Sequence, residues 1–184
     1  MPINTFLYFG DFVAIPIAIV LFAALAFHGG GLAAAPDFLA ASFVGALAWT
    51  LAEYLIHRYA YHHAPVLSPL HHEHHRRPNA FIGAPSFVSI PILIVVAYLP
   101  IYPFNPLAAD GFAAGLSLGY VAYMFVHHAV HHAKIEPGHW LYRARLRHMA
   151  HHYGEATNFG VVTGFWDRMF GTERTRPDRA HLSS

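Results

Sequence analysis

Residues 111–132 read GFAAGLSLGYVAYMFVHHAVHH. The first part of this stretch, 111–126, carries no charge and runs straight into two histidine pairs. An uncharged helix of that length suits a bilayer, and imidazoles gathered at its end suit a metal. Working outward, two further runs have the roughly 20 apolar residues that a membrane crossing needs. They are 6–27, FLYFGDFVAIPIAIVLFAALAF, with Asp11 near its start, and 38–56, FLAASFVGALAWTLAEYLI, with Glu53 near its end. HGGG at 28–31 separates them. From Pro78 to Ala109 no residue is charged, but Pro85, Pro91 and Pro100 predict an irregular third segment.

Composition agrees. The chain is 55% hydrophobic and 11% charged, with mean hydropathy +0.36, whereas a soluble domain is about a quarter charged. A net charge of +1 gives nucleic acid nothing to bind, and the absence of cysteine excludes disulfides, zinc ribbons and thiolate iron–sulfur sites. The N-terminus has neither a basic region nor a small-residue cleavage site, so no removable signal peptide is expected. All 11 Lys and Arg lie at or beyond Arg58, and loops 28–37 and 101–110 have none. Under the positive-inside rule, the basic segments and both termini belong on the cytoplasmic side of four crossings. The histidine clusters fall on the same side. The expected fold is all-α: a single domain over 1–184, an integral membrane bundle of about four transmembrane helices, and a cytoplasmic helical cap holding a histidine-rich dimetal site.

The 17 histidines concentrate in patterns. His71, His74 and His75 are spaced i, i+3, i+4, as are His148, His151 and His152, and these positions share one helix face. His127 and His131 are i, i+4, and so are His128 and His132 on a face turned by about 100°. His57 and His62, five apart, meet on a helix only across a π-bulge or at its end. Ten ligand positions result: His57, His62, His71, His74, His75, His127, His131, His148, His151 and His152. One transition metal takes about four to six donors, so ten imidazoles imply two metals. Neutral imidazole suits iron, copper and zinc.

The series His57-x4-His62, His71-x2-His74-His75, His127-x3-His131 and His148-x2-His151-His152 resembles the fatty acid hydroxylase / sterol desaturase superfamily of membrane histidine-box di-iron oxygenases. EYLIHRYAYH (53–62) looks like its first box, and NFGVVTGFWDRMFGT (158–172) looks like its closing segment. The likeness spans about residues 45–173 and is nearest to the fatty acid 2-hydroxylases, although Met124 stands where those often have Asp. Carotenoid ring hydroxylases share the series with a longer third-box spacing, which His127–His132 would supply. The closing segment favours the fatty acid side.

The resemblance implies a pair of irons held by the ten histidines, O2 as cosubstrate, and hydroxylation of an acyl chain of a fatty acid or lipid. Zinc can replace iron in purified protein. A carotenoid or sterol-type oxidase is the alternative enzyme, and a membrane metal-transport protein the non-enzyme alternative. No dinucleotide fingerprint or haem-attachment motif is present, so electrons are expected from a separate ferredoxin or a haem cytochrome with its reductase. His63, His72, His128 and His132 flank the ligands. Glu53, Glu73, Glu155 and Asp167 are candidates to accept the second ring N–H of a ligand, and Asn158 sits in the closing turn. Arg143, Arg145 and Arg147 are candidates to contact a lipid head group or an acidic carrier, or to anchor the cytoplasmic side. Gly115, Gly119, Ala113 and Ala114 permit either close helix packing or an acyl groove.

Overall fold

The computed structural model describes residues 5–83, 85–154 and 156–174. Glu155, Arg176 and Arg179 lie outside them. Among the described residues every regular element is helical. They divide into two compact units, one within Met1–Thr50 and Ala80–Met124, the other within Leu51–Asn79 and Phe125–Ser184.

In the first unit, α1 (Thr5–Gly30) joins α2 (Ala35–Leu55) through a 3-10 turn, Gly31–Ala34. Gly31 takes a φ of +57° there, a conformation that costs glycine nothing. Phe27 and Phe38 rings meet at 5.4 Å. A straight helix would carry residues eleven apart about 16 Å from one another, so the chain doubles back at this turn. The stretch Thr5–Tyr61 and the helix α5 (Pro106–His132) are both long and apolar enough to cross a membrane.

The predicted third span is helical only over Ser86–Tyr98, as α4 (Ser86–Leu93) followed by a π-helical turn, Ile94–Tyr98. Its prolines account for this. Pro85 is extended before the helix, Pro91 withholds an N–H inside it, and Pro100 lies in the turns beyond.

Gly111, Gly115 and Gly119 line the face of α5 against α2. A Cβ on Gly115 would collide with the Ser42 carbonyl, and one on Gly119 would sit 2.5 Å from Trp49 Cβ. The small residues of this helix therefore serve close packing, with Ala113 and Ala114 in the buried cluster of Phe22, Ala26, Phe38, Leu93 and Ala97. The buried Asp11 carboxylate is not stranded. It accepts hydrogen bonds from Ser89 Oγ and, at 2.7 Å, from Tyr120 Oη, which satisfies its oxygens in an apolar setting.

The second unit contains the end of α2, a π-helical segment (Ile56–Tyr61), α3 (Ser68–Arg76), the end of α5, α6 (Tyr142–Gly154) and α7 (Phe165–Met169).

Candidate metal centre

The π-helical turn at Ile56–Tyr61 puts residues five apart on one face, and the rings of His57 and His62 stack 5.6 Å apart. On α3, α5 and α6 ordinary helical spacing aligns the other predicted ligands. The result is two groups. His57, His62, His71, His75 and His151 form one, and His74, His131, His148 and His152 the other. Within each group one ring nitrogen per residue lies within 4.8 Å of all the others. His127 adjoins the second group, its Nε2 3.1 Å from that of His74 and its ring centroid 4.8 Å from that of His148. The rings of His75 and His152, one from each group, stack at 4.3 Å.

The donor chemistry fits a cation. His57 Nδ1 is 2.6 Å from the Phe159 carbonyl, and His151 Nδ1 is 2.7 Å from that of Thr157. A carbonyl only accepts, so both Nδ1 atoms carry the hydrogen and both Nε2 atoms present lone pairs. Those Nε2 atoms face each other at 2.9 Å. Two bare lone pairs repel at that distance, whereas adjacent imidazoles about 2.0–2.1 Å from one metal lie about 3 Å apart. His71 and His75 join the same convergence, with His75 Nε2 3.0 Å from both His71 and His151. Iron and zinc both suit such an all-imidazole set.

The surroundings keep the rings neutral. Burial first, then His131 and His75, bring His74 down to about 3. Burial followed by His62 and His72 brings His75 to about 4. Burial and His75 hold His151 at about 2 and His152 at about 3, and burial with His127 lowers His148 well below the usual range. A neutral imidazole is the form that binds metal.

The turn 157–162 is built around its own backbone. Asp167, fully buried, accepts from Phe159 N and Thr172 Oγ1 on Oδ1 and from Gly160 N on Oδ2, each at 2.8 Å. Glu53 Oε1 accepts from Val161 N at 2.5 Å and Val162 N at 3.1 Å. Asn158, at φ +53°, exchanges two hydrogen bonds with the Arg174 backbone. Sequence reasoning offered Glu53 and Asp167 as direct acceptors for ligand rings. They hold the turn instead, and its carbonyls take the ring N–H groups. Backbone acceptors have no residue-type signature, so only the Asn-Phe-Gly turn itself hinted at them.

The other flanking residues fall elsewhere. Glu73 pairs with Arg76 and Arg77. His72 Nδ1 lies 2.8 Å from the Ser68 carbonyl, and His63 is exposed. His128 and His132 stack on each other at 4.4 Å and line a cleft of about 360 Å³ with Phe125, Ile135 and Trp140, outside both ligand groups. The three arginines do not form one exposed patch. Arg143 is exposed and Arg145 donates to the Ala133 carbonyl, but Arg147 turns inward, donating to the Val161 carbonyl with its Nε buried.

The model of the fatty acid hydroxylase family matches residues 42–172. The chain belongs to the fatty acid hydroxylase family. It is 35% identical over 150 residues to the fatty acid 2-hydroxylase of Rattus norvegicus, covering 73% of this chain and 40% of the relative. It is 36% identical over 146 residues to the ceramide very long chain fatty acid hydroxylase SCS7 of Saccharomyces cerevisiae, covering 70% of this chain and 36% of the relative. A solved structure of full-length scs7p, in which only the hydroxylase domain is visible, superposes with a TM-score of 0.75 at 29% identity, over 95% of this chain and 71% of that one. The chain thus spans about two fifths of the length of the mammalian and yeast relatives it matches.

Proposed function

We propose that this family member is a membrane-bound, O2-dependent hydroxylase of lipid acyl chains, acting as one hydroxylase domain with a two-iron centre. His57, His62, His71, His75 and His151 would hold one iron, and His74, His127, His131, His148 and His152 the other. The observation that carries this reading is the pair of lone-pair nitrogens of His57 and His151 facing each other at 2.9 Å among three further imidazoles. The relatives are named for hydroxylating fatty acids, at C2 where a position is given. We therefore assign C2 of a fatty acyl chain, free or amide-linked, as the reacting carbon.

When bound, the metals supply the reduction of dioxygen and the removal of hydrogen from an unactivated C–H bond. One oxygen atom enters that bond and the other leaves as water, with two electrons and two protons consumed. The chain's own residues present neutral imidazoles, and the 157–162 turn fixes the tautomer of two of them. Electrons come from an external carrier, a ferredoxin or a haem cytochrome with its reductase. Arg143 and Arg145 are the basic residues of the proposed contact that are not turned inward. The proposed topology has four crossings, with both termini and the centre cytoplasmic.

The carotenoid-type register would need His132 as ligand, and His132 lies outside the second group, whereas His131 is in it. The test is a reconstitution of iron-loaded protein with reductant, an acyl lipid and 18O2. One label at C2 of the product is expected. Label from water, or no product from any acyl lipid, overturns the proposal.

A further inference from the structure

The two ligand groups are not supported alike. In the first, His57 and His151 each donate Nδ1–H to a carbonyl of the 157–162 turn. In the second, His152 has a backbone hydrogen bond to His75, but the Nδ1 atoms of His74 and His148 are buried without an acceptor among the described residues. A ligating imidazole whose other nitrogen is hydrogen-bonded is held in one tautomer and one orientation, and losing that partner typically weakens metal binding about 10–100-fold.

The turn that supplies the carbonyls is held by two carboxylates. Asp167 uses both oxygens on it, and Gly160 lets it approach, because a Cβ there would sit 2.9 Å from Asp167 Oδ2. Glu53 reaches the next two amides with Oε1 alone, and its Oε2 is buried without a partner among the described residues. Among the described residues, neither carboxylate hydrogen-bonds to a ligand ring.

We propose that Glu53 and Asp167 are positioning residues that act on His57 and His151 through the backbone of this turn, and that the metal position built on those two histidines therefore fills first and more tightly than the one built on His74 and His148. This inference rests on the dimetal reading above. It carries a chemical asymmetry of its own. Gln at 53 keeps the one oxygen that accepts from the turn, so charge is dispensable there. Asn at 167 must turn an NH2 group toward either Gly160 N or Phe159 N, setting donor against donor.

The test is titration of metal-free, full-length protein in detergent with Co(II), followed by its visible absorption, with no turnover required. Wild type should bind two Co(II) in two resolved steps. E53Q should change the first step less than about threefold, while E53L and D167N should weaken it about 10–100-fold. The second step should move less than about threefold in each. In Zn(II)-loaded protein, 15N spectra should keep both Nδ1–H signals in E53Q and lose them in D167N. If D167N does not fold, E53Q against E53L decides alone. Equal affinities in wild type, equal loss from both steps, or E53Q as damaging as E53L overturns the inference and leaves the dimetal centre standing. A wild-type chain that binds no Co(II) overturns both.

Discussion

The third histidine box shows what one residue's register decides. His131 lies in the second ligand group and its Nε2 is 2.7 Å from that of His148, whereas its neighbour His132 stacks on His128 away from both groups. Iron analysis of anaerobically loaded protein should therefore fall from two toward one per chain in H131A and stay near two in H132A. The reverse pattern would move the register by one residue. Acid should act through the same rings. His74, His75 and His152 are lowered to between about 3 and about 4, while an unfolded chain binds their protons near 6.5. Between those values the unfolded state holds more protons, so the metal-free protein has its full stability above about pH 6.5 and loses it as pH falls toward 4. Thermal unfolding of metal-free protein at pH 7.5 and pH 5 should show a lower Tm at pH 5, and an unchanged Tm would mean that the rings stay open to protons. The gathering of nine of these histidines into two groups, including the five-residue step from His57 to His62, was legible in the sequence because imidazole spacing maps directly onto helix geometry. The carbonyls of Thr157 and Phe159 were not, since any residue provides a carbonyl and only the folded turn aims it.

Between elements, the tightest constraint is the seam of α2 and α5. Gly115 faces the Ser42 backbone, which cannot swing aside as the tip of a side chain can. Gly115→Ala should cost about 1–3 kcal/mol through overpacking, read as a lower unfolding temperature in detergent. Gly29, inside α1, has nothing within 4 Å of its would-be Cβ. Gly29→Ala should leave stability level or raise it by up to about 1 kcal/mol through helix propensity. Equal effects at both sites would remove the packing argument. The contrast explains why small residues read ambiguously in sequence, as either a packing seam or a groove, until the facing backbone is placed. The broken third segment was easier to read, because a proline carries its effect on the backbone in its own ring: Pro85 and Pro100 bracket a helix of only Ser86–Tyr98, and Pro91 interrupts its hydrogen bonding.

For the whole molecule, the histidine groups set a condition on how often the chain crosses the bilayer. The first group joins His57, His62, His71 and His75 to His151, and the second joins His74 to His131, His148 and His152. The segments 57–75 and 131–152 must then lie on one side of the membrane. The number of crossings between them is therefore even. Two segments are available, the proline-broken stretch around Ser86–Tyr98 and helix α5, so both cross or neither does. The helix Ser86–Tyr98, about 20 Å long, is shorter than a hydrocarbon core of about 30 Å. Charge weighs against omission. No Lys or Arg occurs between Arg77 and Lys134, while basic residues crowd both flanks, as expected when the two flanks are cytoplasmic and the loop between is not. A topology reporter inserted after residue 105 should therefore report the outside, and reporters after residue 78 and at the C-terminus the inside. An inside signal at 105, with the other two also inside, would mean that neither segment crosses and that α5 is a buried helix. Signals on opposite sides at 78 and the C-terminus would separate the two halves of each histidine group and so reject the metal centre along with the topology.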